Sequence, residues 1–255
     1  MRADPGGVLA TADLPPLPGA RVFEATRRVR LGDADQQGRL RLDALARHLQ
    51  DIATDDYGDA GLSEAPVFWV VRRAAFSVTR WPRYLERVTY ATFCGGTGPQ
   101  WAERRTSGRG ETGGRLETSV LWASLDVATG RPVPIPPRFA ELWGVEAVDR
   151  RLSARLLHPS PPPGIEGRSW ELRTTDLDVL GHVNNAGHWE AVADELARRL
   201  ESRIPVTAEC EYRLPMDLGD RVRIISEVAV DSLRVWLVSQ RGIHASALVA
   251  TTPTD

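Results

Sequence analysis

The feature that most constrains the fold is an internal repeat. The stretch RLGDADQQGRLRLDALARHLQDIA, beginning at Arg30, is echoed by RTTDLDVLGHVNNAGHWEAVADEL, beginning at Arg173. A constant shift of 143 residues pairs Arg30 with Arg173, Asp33 with Asp176, Asp35 with Asp178, Gly38 with Gly181 and Asp51 with Asp194. Self-similarity at a fixed offset is the mark of a chain built twice from one unit. The 255 residues suffice for two such units, each with its own core.

Each copy runs from a short acidic turn into a helix. Leu42, Leu45, Ala46, Leu49, Ile52 and Ala53 fall at helical spacing in the first, and Trp189, Val192, Ala193, Leu196 and Leu200 in the second. Both stripes must be buried. Short segments rich in Val, Thr and aromatic residues follow each helix. After the first come 67–73, 75–80, 87–93, 100–105 and 119–127; after the second come 206–213, 221–230, 234–241 and 244–251. One helix and an antiparallel meander, twice over, predict an α+β chain in which each sheet wraps one helix. The expected organisation is a flexible lead-in over 1–20, a first unit over 21–145, a Pro-rich linker over 146–165 and a second unit over 166–255. The FAELWG stretch near 139 reads as a short helix.

Composition narrows the function. A formal net charge of −2 calls for no nucleic-acid or anionic-membrane partner. No run of apolar residues reaches the roughly 18 needed to span a membrane. The two cysteines, Cys94 and Cys210, stand far apart in no paired motif, which argues against a disulfide framework or a cysteine zinc site and fits a reducing, cytoplasmic setting. There is no G-x-S-x-G elbow, phosphate loop or dinucleotide fingerprint. Every basic residue is arginine. The pairs Arg72-Arg73, Arg104-Arg105 and Arg198-Arg199 are candidates either for docking an acidic partner or for plain solvated charge.

The second copy, DLDVLGHVNNAGHW over 176–189, resembles the signature of plant and bacterial acyl-acyl carrier protein thioesterases. The first half matches the same family in blocks: WVVRRAAFSVTRWPRYLERVTYATF (69–93), WAERR (101–105) and SVLWASLDVATGRPVPIP (119–136). The resemblance covers roughly residues 21–250. It implies two fused hotdog folds, each an antiparallel sheet around one long helix, with the acyl chain held in a tunnel. It also implies hydrolysis of fatty acyl-acyl carrier protein without metal or organic cofactor. The partner is then acyl carrier protein bearing a phosphopantetheine-linked acyl chain, and the assembly a monomer or homodimer.

The resemblance places catalysis in the second half, on Asp178 and His182. The family's Asn position is Leu180 here, and its Glu position falls near Pro215. A carboxylate at Asp178 is available at neutral pH to activate water or to attack the carbonyl itself. His182 can orient water or protonate the departing thiolate, histidine being the side chain suited to proton transfer at physiological pH. Gly181, Asn184 and Asn185, at the start of the helix, are the expected substrate-binding positions, their N–H groups a candidate oxyanion hole. Helix capping is the competing role for the two asparagines. The first copy keeps Asp35 and Gly38 but has Arg39 where the second has His182. Three rival functions share the fold: an acyl-CoA thioesterase, a non-catalytic acyl-thioester binding protein and, lower in rank, a dehydratase.

Overall fold

The computed structural model describes residues 15–16, 19–62, 67–143 and 154–253. Most of the expected lead-in, and residues 146–153 of the expected linker, lie outside the described residues. The first copy contains β1 (Val22–Arg28), α1 (Leu42–Asp59), β2 (Val67–Arg80), β3 (Arg87–Thr97), β4 (Trp101–Gly110) and β5 (Arg115–Asp126). The short helix α2 (Pro137–Trp143) follows. The second copy contains β6 (Arg168–Trp170), α3 (Asn185–Arg199), β7 (Arg203–Tyr212), β8 (Val222–Val228), β9 (Ser232–Ser239) and β10 (Gly242–Pro253).

The ten strands form one sheet in the order β1-β3-β4-β5-β2-β7-β10-β9-β8-β6, antiparallel throughout. Read from either end toward the middle, the order is the same with each strand replaced by its repeat counterpart. The two copies are therefore joined edge to edge by β2 and β7, whose pairing runs from Arg73↔Glu211 to Ser77↔Thr207. Each copy's innermost edge is covered by the other, which removes an exposed strand edge open to association. The segments 67–73 and 75–80 are a single strand, because the register shift between Val71 and Arg73 bends β2 without reversing it.

Both helices lie against one face of the sheet. α1 buries Leu42, Leu45, Leu49 and Ile52, and α3 buries Trp189, Val192 and Leu196. Trp189 is fully buried and stacks on Phe76 of β2 with ring centroids 4.7 Å apart. The helix of one copy thus packs on a strand of the other, and burial of that one ring contributes at most about 4–6 kcal/mol. Arg47 of α1 and Glu190 of α3 occupy equivalent positions of the repeat and pair with each other at 3.2 Å, on the pseudo-twofold axis. This is a tandem hotdog with a shared core.

Candidate active site

The repeat is preserved atom by atom in the turn before each helix. Asp35 N–H donates to the Arg39 carbonyl and Gly38 N–H to the Asp35 carbonyl; Asp178 N–H donates to His182 and Gly181 N–H to Asp178 in the same way. Gly38 and Gly181 have φ of +73° and +77°, the left-handed region where glycine avoids the Cβ penalty. The carboxylates of Asp35 and Asp178 each accept the N–H two residues on, from Gln37 and Leu180. In each copy a strand-side loop then closes on the turn: Leu40 N–H reaches the Pro82 carbonyl, and Val183 N–H reaches the Met216 carbonyl. The strand-side loops are thus related by a second offset, which places Arg83 opposite Asp217 and Glu86 opposite Asp220.

The two turns differ where chemistry would need them to. In the first copy Asp35 also accepts the backbone N–H of Arg39 at 2.8 Å and its Nε at 2.8 Å, so the carboxylate is closed by its neighbour. In the second copy Asp178 instead takes only a 3.4 Å bond from Asn184 Nδ2 on its other oxygen. The N–H of His182 is left with no acceptor among the described residues, and so is that of Asn185, the first residue of α3. Asn185 is among the donors that a helix start leaves free, while His182 belongs to the turn just before it.

The structure also brings to His182 a partner that sequence reasoning missed. His182 Nδ1 and Asp217 Oδ1 are 2.6 Å apart. The family Glu position, Pro215, carries no carboxylate, but the same loop supplies one two residues later. That loop is pinned on three sides. The buried His244 donates from Nδ1 to the Pro215 carbonyl at 3.0 Å, while its Nε2 meets the Ser239 hydroxyl at 2.7 Å. Asp217 N–H donates to Asp220 at 2.8 Å. Arg241 bridges the carboxylates of Asp217 and Asp220. Partial burial pushes the Asp217 carboxyl up, but the hydrogen bonds from His182 and Arg241 outweigh it and hold the group below its ordinary value.

The remaining predicted residues have clear positions. Asn184 is the N-cap of α3, accepting Ala186 N–H at 2.9 Å, so its side chain is committed to the turn. The Asn185 amide makes no hydrogen bond within the chain among the described residues, although its carbonyl accepts the Tyr212 hydroxyl at 3.4 Å. Leu180, at the family Asn position, is exposed beside the fully exposed Val179. No hydrogen bond or ion pair joins the Asp178 and His182 side chains; they are brought together by sharing one turn.

An apolar chamber of about 280 Å³ lies between the end of α1, the start of β2, strands β4 and β5, and α2. Tyr57, Trp69, Trp122, Phe139 and Trp143 contribute its aromatic walls. A larger groove of about 1410 Å³ runs past the Asp35–Arg39 turn and over α3. The arginine pairs flagged in the sequence are mostly engaged internally. Arg104 bonds Asp56, Arg105 pairs with Glu103, Arg198 with Asp194 and Arg199 with Glu195. No helix among the described residues is long and apolar enough to cross a membrane.

Comparison with known proteins agrees with the geometry. Residues 20–143 match the acyl-ACP thioesterase N-terminal domain, and residues 165–249 match the acyl-ACP thioesterase C-terminal domain. An uncharacterized protein of Mycobacterium tuberculosis is 29% identical over 230 residues, covering 89% of this chain and 91% of that one. Among solved structures, the 12:0-ACP thioesterase of Umbellularia californica superposes with a TM-score of 0.75 at 21% identity, over 91% of this chain and 98% of the other. An acyl-ACP thioesterase of Bacteroides thetaiotaomicron gives 0.75 at 17% identity over the same shares, 91% and 98%. A putative oleoyl thioesterase of Lactobacillus plantarum gives 0.74 at 21%, over 93% and 98%. At these identities the structures speak for the fold.

Proposed function

The chain belongs to the acyl-ACP thioesterase family, and from that premise we propose that it hydrolyses fatty acyl-acyl carrier protein at the corner formed by His182, Asp217 and Asp178. Thioester hydrolysis is the activity of the family. The observation that carries the assignment of residues is the His182–Asp217 bond at 2.6 Å, present in the second copy and replaced by arginines in the first.

Asp217 accepts the Nδ1 proton and so presents His182 Nε2 to solvent as a base. Nε2 takes a proton from the attacking water as its oxygen bonds to the thioester carbon. The free lone pair of Asp178 holds the water's second hydrogen. Negative charge then develops on the carbonyl oxygen, where the unpaired N–H groups of His182 and Asn185 receive it at the positive end of α3. On collapse the carbon–sulfur bond breaks, and the proton on Nε2 passes to the sulfur. The products are a fatty acid and the phosphopantetheine thiol. Gly181 keeps the turn bare so that the thioester approaches the backbone closely.

The apolar chamber is the proposed seat of the acyl chain. By the repeat, the groove beside the first turn corresponds to a groove beside the second. Ala197 of the first groove has Thr54 as its counterpart, and Thr54 lines the chamber. The substrate's polar end would then lie at the turn and its tail among Tyr57, Trp69 and Trp143. The free cysteines fit residence in the cytoplasm.

The experiment is thiol release from a ladder of acyl chains, each offered on acyl carrier protein and on coenzyme A. Turnover that favours the carrier protein supports the proposal and gives the chain length. Preference for coenzyme A would move the substrate assignment, and tight binding without release would overturn hydrolysis.

A further inference from the structure

Away from the hydrolytic corner, one cluster of ligand-type side chains is shut off from solvent. Glu209 and Glu211 are two residues apart on β7 and project from the same face of the sheet, opposite to Ala208, Cys210 and Tyr212, which join the helix-side core. A segment of the Pro-rich linker crosses above them: Trp236 Nε1 donates to the Pro159 carbonyl at 2.8 Å, and the N–H groups of Leu157 and His158 both donate to Glu211. Ligand atoms of His158, Glu209 and Glu211 all lie within 4.8 Å of one another. The side chains of His158 and Glu209 are only 6% and 4% exposed, and that of Glu211 is 0% exposed.

Two side-chain atoms around this cluster are buried without a hydrogen-bond partner, Glu209 Oε2 and Arg213 Nε. His158 Nδ1 lies 3.1 Å from both the carbonyl oxygen and the hydroxyl of Ser246. With Nδ1 donating to that carbonyl, the neutral ring carries its lone pair on Nε2. Nε2 faces Glu209 Oε1 at 3.1 Å, and Glu209 Oε2 is buried with no hydrogen-bond partner. Between Nε2, Oε1 and the orphaned carboxylate oxygen lies a buried place that positive charge would fill, either a proton on the ring or a metal ion. Arg213 bonds Glu211 at 3.0 Å and offsets one of the two carboxylates, leaving the other for an incoming charge.

We propose that His158, Glu209 and Glu211 bind one divalent cation, with zinc favoured by the mixed nitrogen and carboxylate donors. Two ligands on a tetrahedral zinc, each about 2.0–2.1 Å from the metal, stand about 3.3 Å apart, close to the 3.1 Å between Nε2 and Oε1. The orphaned Oε2 supplies a fourth donor atom from the same carboxylate. The surrounding shell is of the kind that fixes metal ligands: a carbonyl on the far side of the histidine ring and backbone N–H groups on a ligating carboxylate. The ion would clamp the linker to β7 at the seam between the two copies. It stands on the face of the sheet away from the helices and takes no part in hydrolysis.

The test is made on the full chain. Protein purified from zinc-replete cells should carry about one zinc per molecule by plasma mass spectrometry. Stripping it with a chelator should lower Tm by about 5–10 °C, the shift for a site held at about 100 times its Kd, and zinc but not magnesium should restore it. Glu209→Gln keeps the shape of the site and should fold, yet lose both the ion and the response to chelator; His158→Ala should do the same. A wild-type chain without metal, whose Tm moves with neither zinc nor chelator, would overturn the proposal. So would zinc retained in full by Glu209→Gln, or nitrogen NMR of the untreated protein showing hydrogen on both ring nitrogens of His158, since a proton would then fill the place assigned to the metal.

Discussion

Asp217→Asn should slow hydrolysis about 10- to 30-fold while leaving the fold intact. The substitution preserves the shape of the side chain, and the amide oxygen can still accept from His182 Nδ1, so the tautomer survives and only the charge is lost. A hydrogen bond to a charged group is worth about 1.5–3 kcal/mol. The two side chains are 45% and 41% exposed, so solvent screening confines the effect to the lower part of that range, about 1.5–2 kcal/mol. At 1.36 kcal/mol per tenfold in rate, this gives the stated loss. It should appear in kcat, because the charge acts on the imidazolium formed in the transition state, with KM little changed. Arg241 keeps its 3.0 Å bond to Asp220, so Tm should move by only a few degrees. The assay is thiol release from acyl-acyl carrier protein across a pH series, with Tm measured alongside. A folded variant that retains kcat within about twofold of the parent would show that Asp217 merely caps an exposed histidine, and the proton-transfer scheme would fall with it.

Four further outcomes are expected. Asp178→Ala should remove most hydrolysis in a chain that still folds, and an unchanged rate by the same assay would sink its assignment. Arg39→Ala should leave turnover largely intact, since the first-copy turn is closed by its own arginine; a collapse in kcat at normal Tm would contradict that reading. Leu180→Asn, which restores the family residue at an exposed position, should hold or raise kcat, and loss of activity would mean that the pocket is built around leucine. Burial holds His188 at about 4, with the nearby His244 also lowering it, below the ordinary 6.5 of histidine. The unfolded chain therefore takes up this proton first: stability is full above about pH 6.5 and falls toward pH 4, by about 2 kcal/mol at about pH 5. Urea titrations at about pH 7.5 and about pH 5 should show a smaller fall for His188→Gln by that amount, and equal falls would refute the burial of a neutral ring.

Much of the architecture is legible in the sequence because it rests on spacing. The 143-residue shift predicts two equivalent turns, and the structure has them with matching hydrogen bonds at Asp35 and Asp178 and matching left-handed glycines. Leu42, Leu45, Ala46, Leu49 and Ile52 of α1 and Trp189, Val192 and Leu196 of α3 are buried where the periodicity puts them, while Ala53, Ala193 and Leu200 are only partly covered. What spacing cannot reveal is contact between elements. The three-residue β6 is an edge strand too short for a periodic signal, and β1, at the other edge, buries no residue fully and so has little apolar alternation to show. The union of two expected sheets into one depends on β2 pairing with β7, a long-range match that alternation does not encode. Asp217 was missed for a related reason. The family position falls on Pro215, whereas the loop presents its carboxylate two residues on. The signal that finds it is the second offset, which lines up Pro82, Arg83 and Glu86 with Met216, Asp217 and Asp220.

That second offset makes the first copy an internal control for the chemistry of the other. Both copies have the acidic turn, the glycine, the helix start and a buried carboxylate, Glu86 or Asp220, that accepts the N–H of the residue three before it, Arg83 or Asp217. These shared parts are what folding requires. The differences concentrate at three points: Arg39 against His182, Arg83 against Asp217, and the backbone N–H that Asp35 occupies in one turn and Asp178 leaves free in the other. An arginine at both positions satisfies the local carboxylate and carbonyl groups, with Arg39 on Asp35 and Arg83 on the Gln37 carbonyl. The first turn is therefore electrostatically closed. In the second, a histidine and an aspartate pair with each other instead, leaving a ring nitrogen, a carboxylate lone pair and two N–H donors facing outward. A turn built only for folding would have no reason to leave those groups unpaired, and this asymmetry supports the proposal that the second copy carries the chemistry and the first the support.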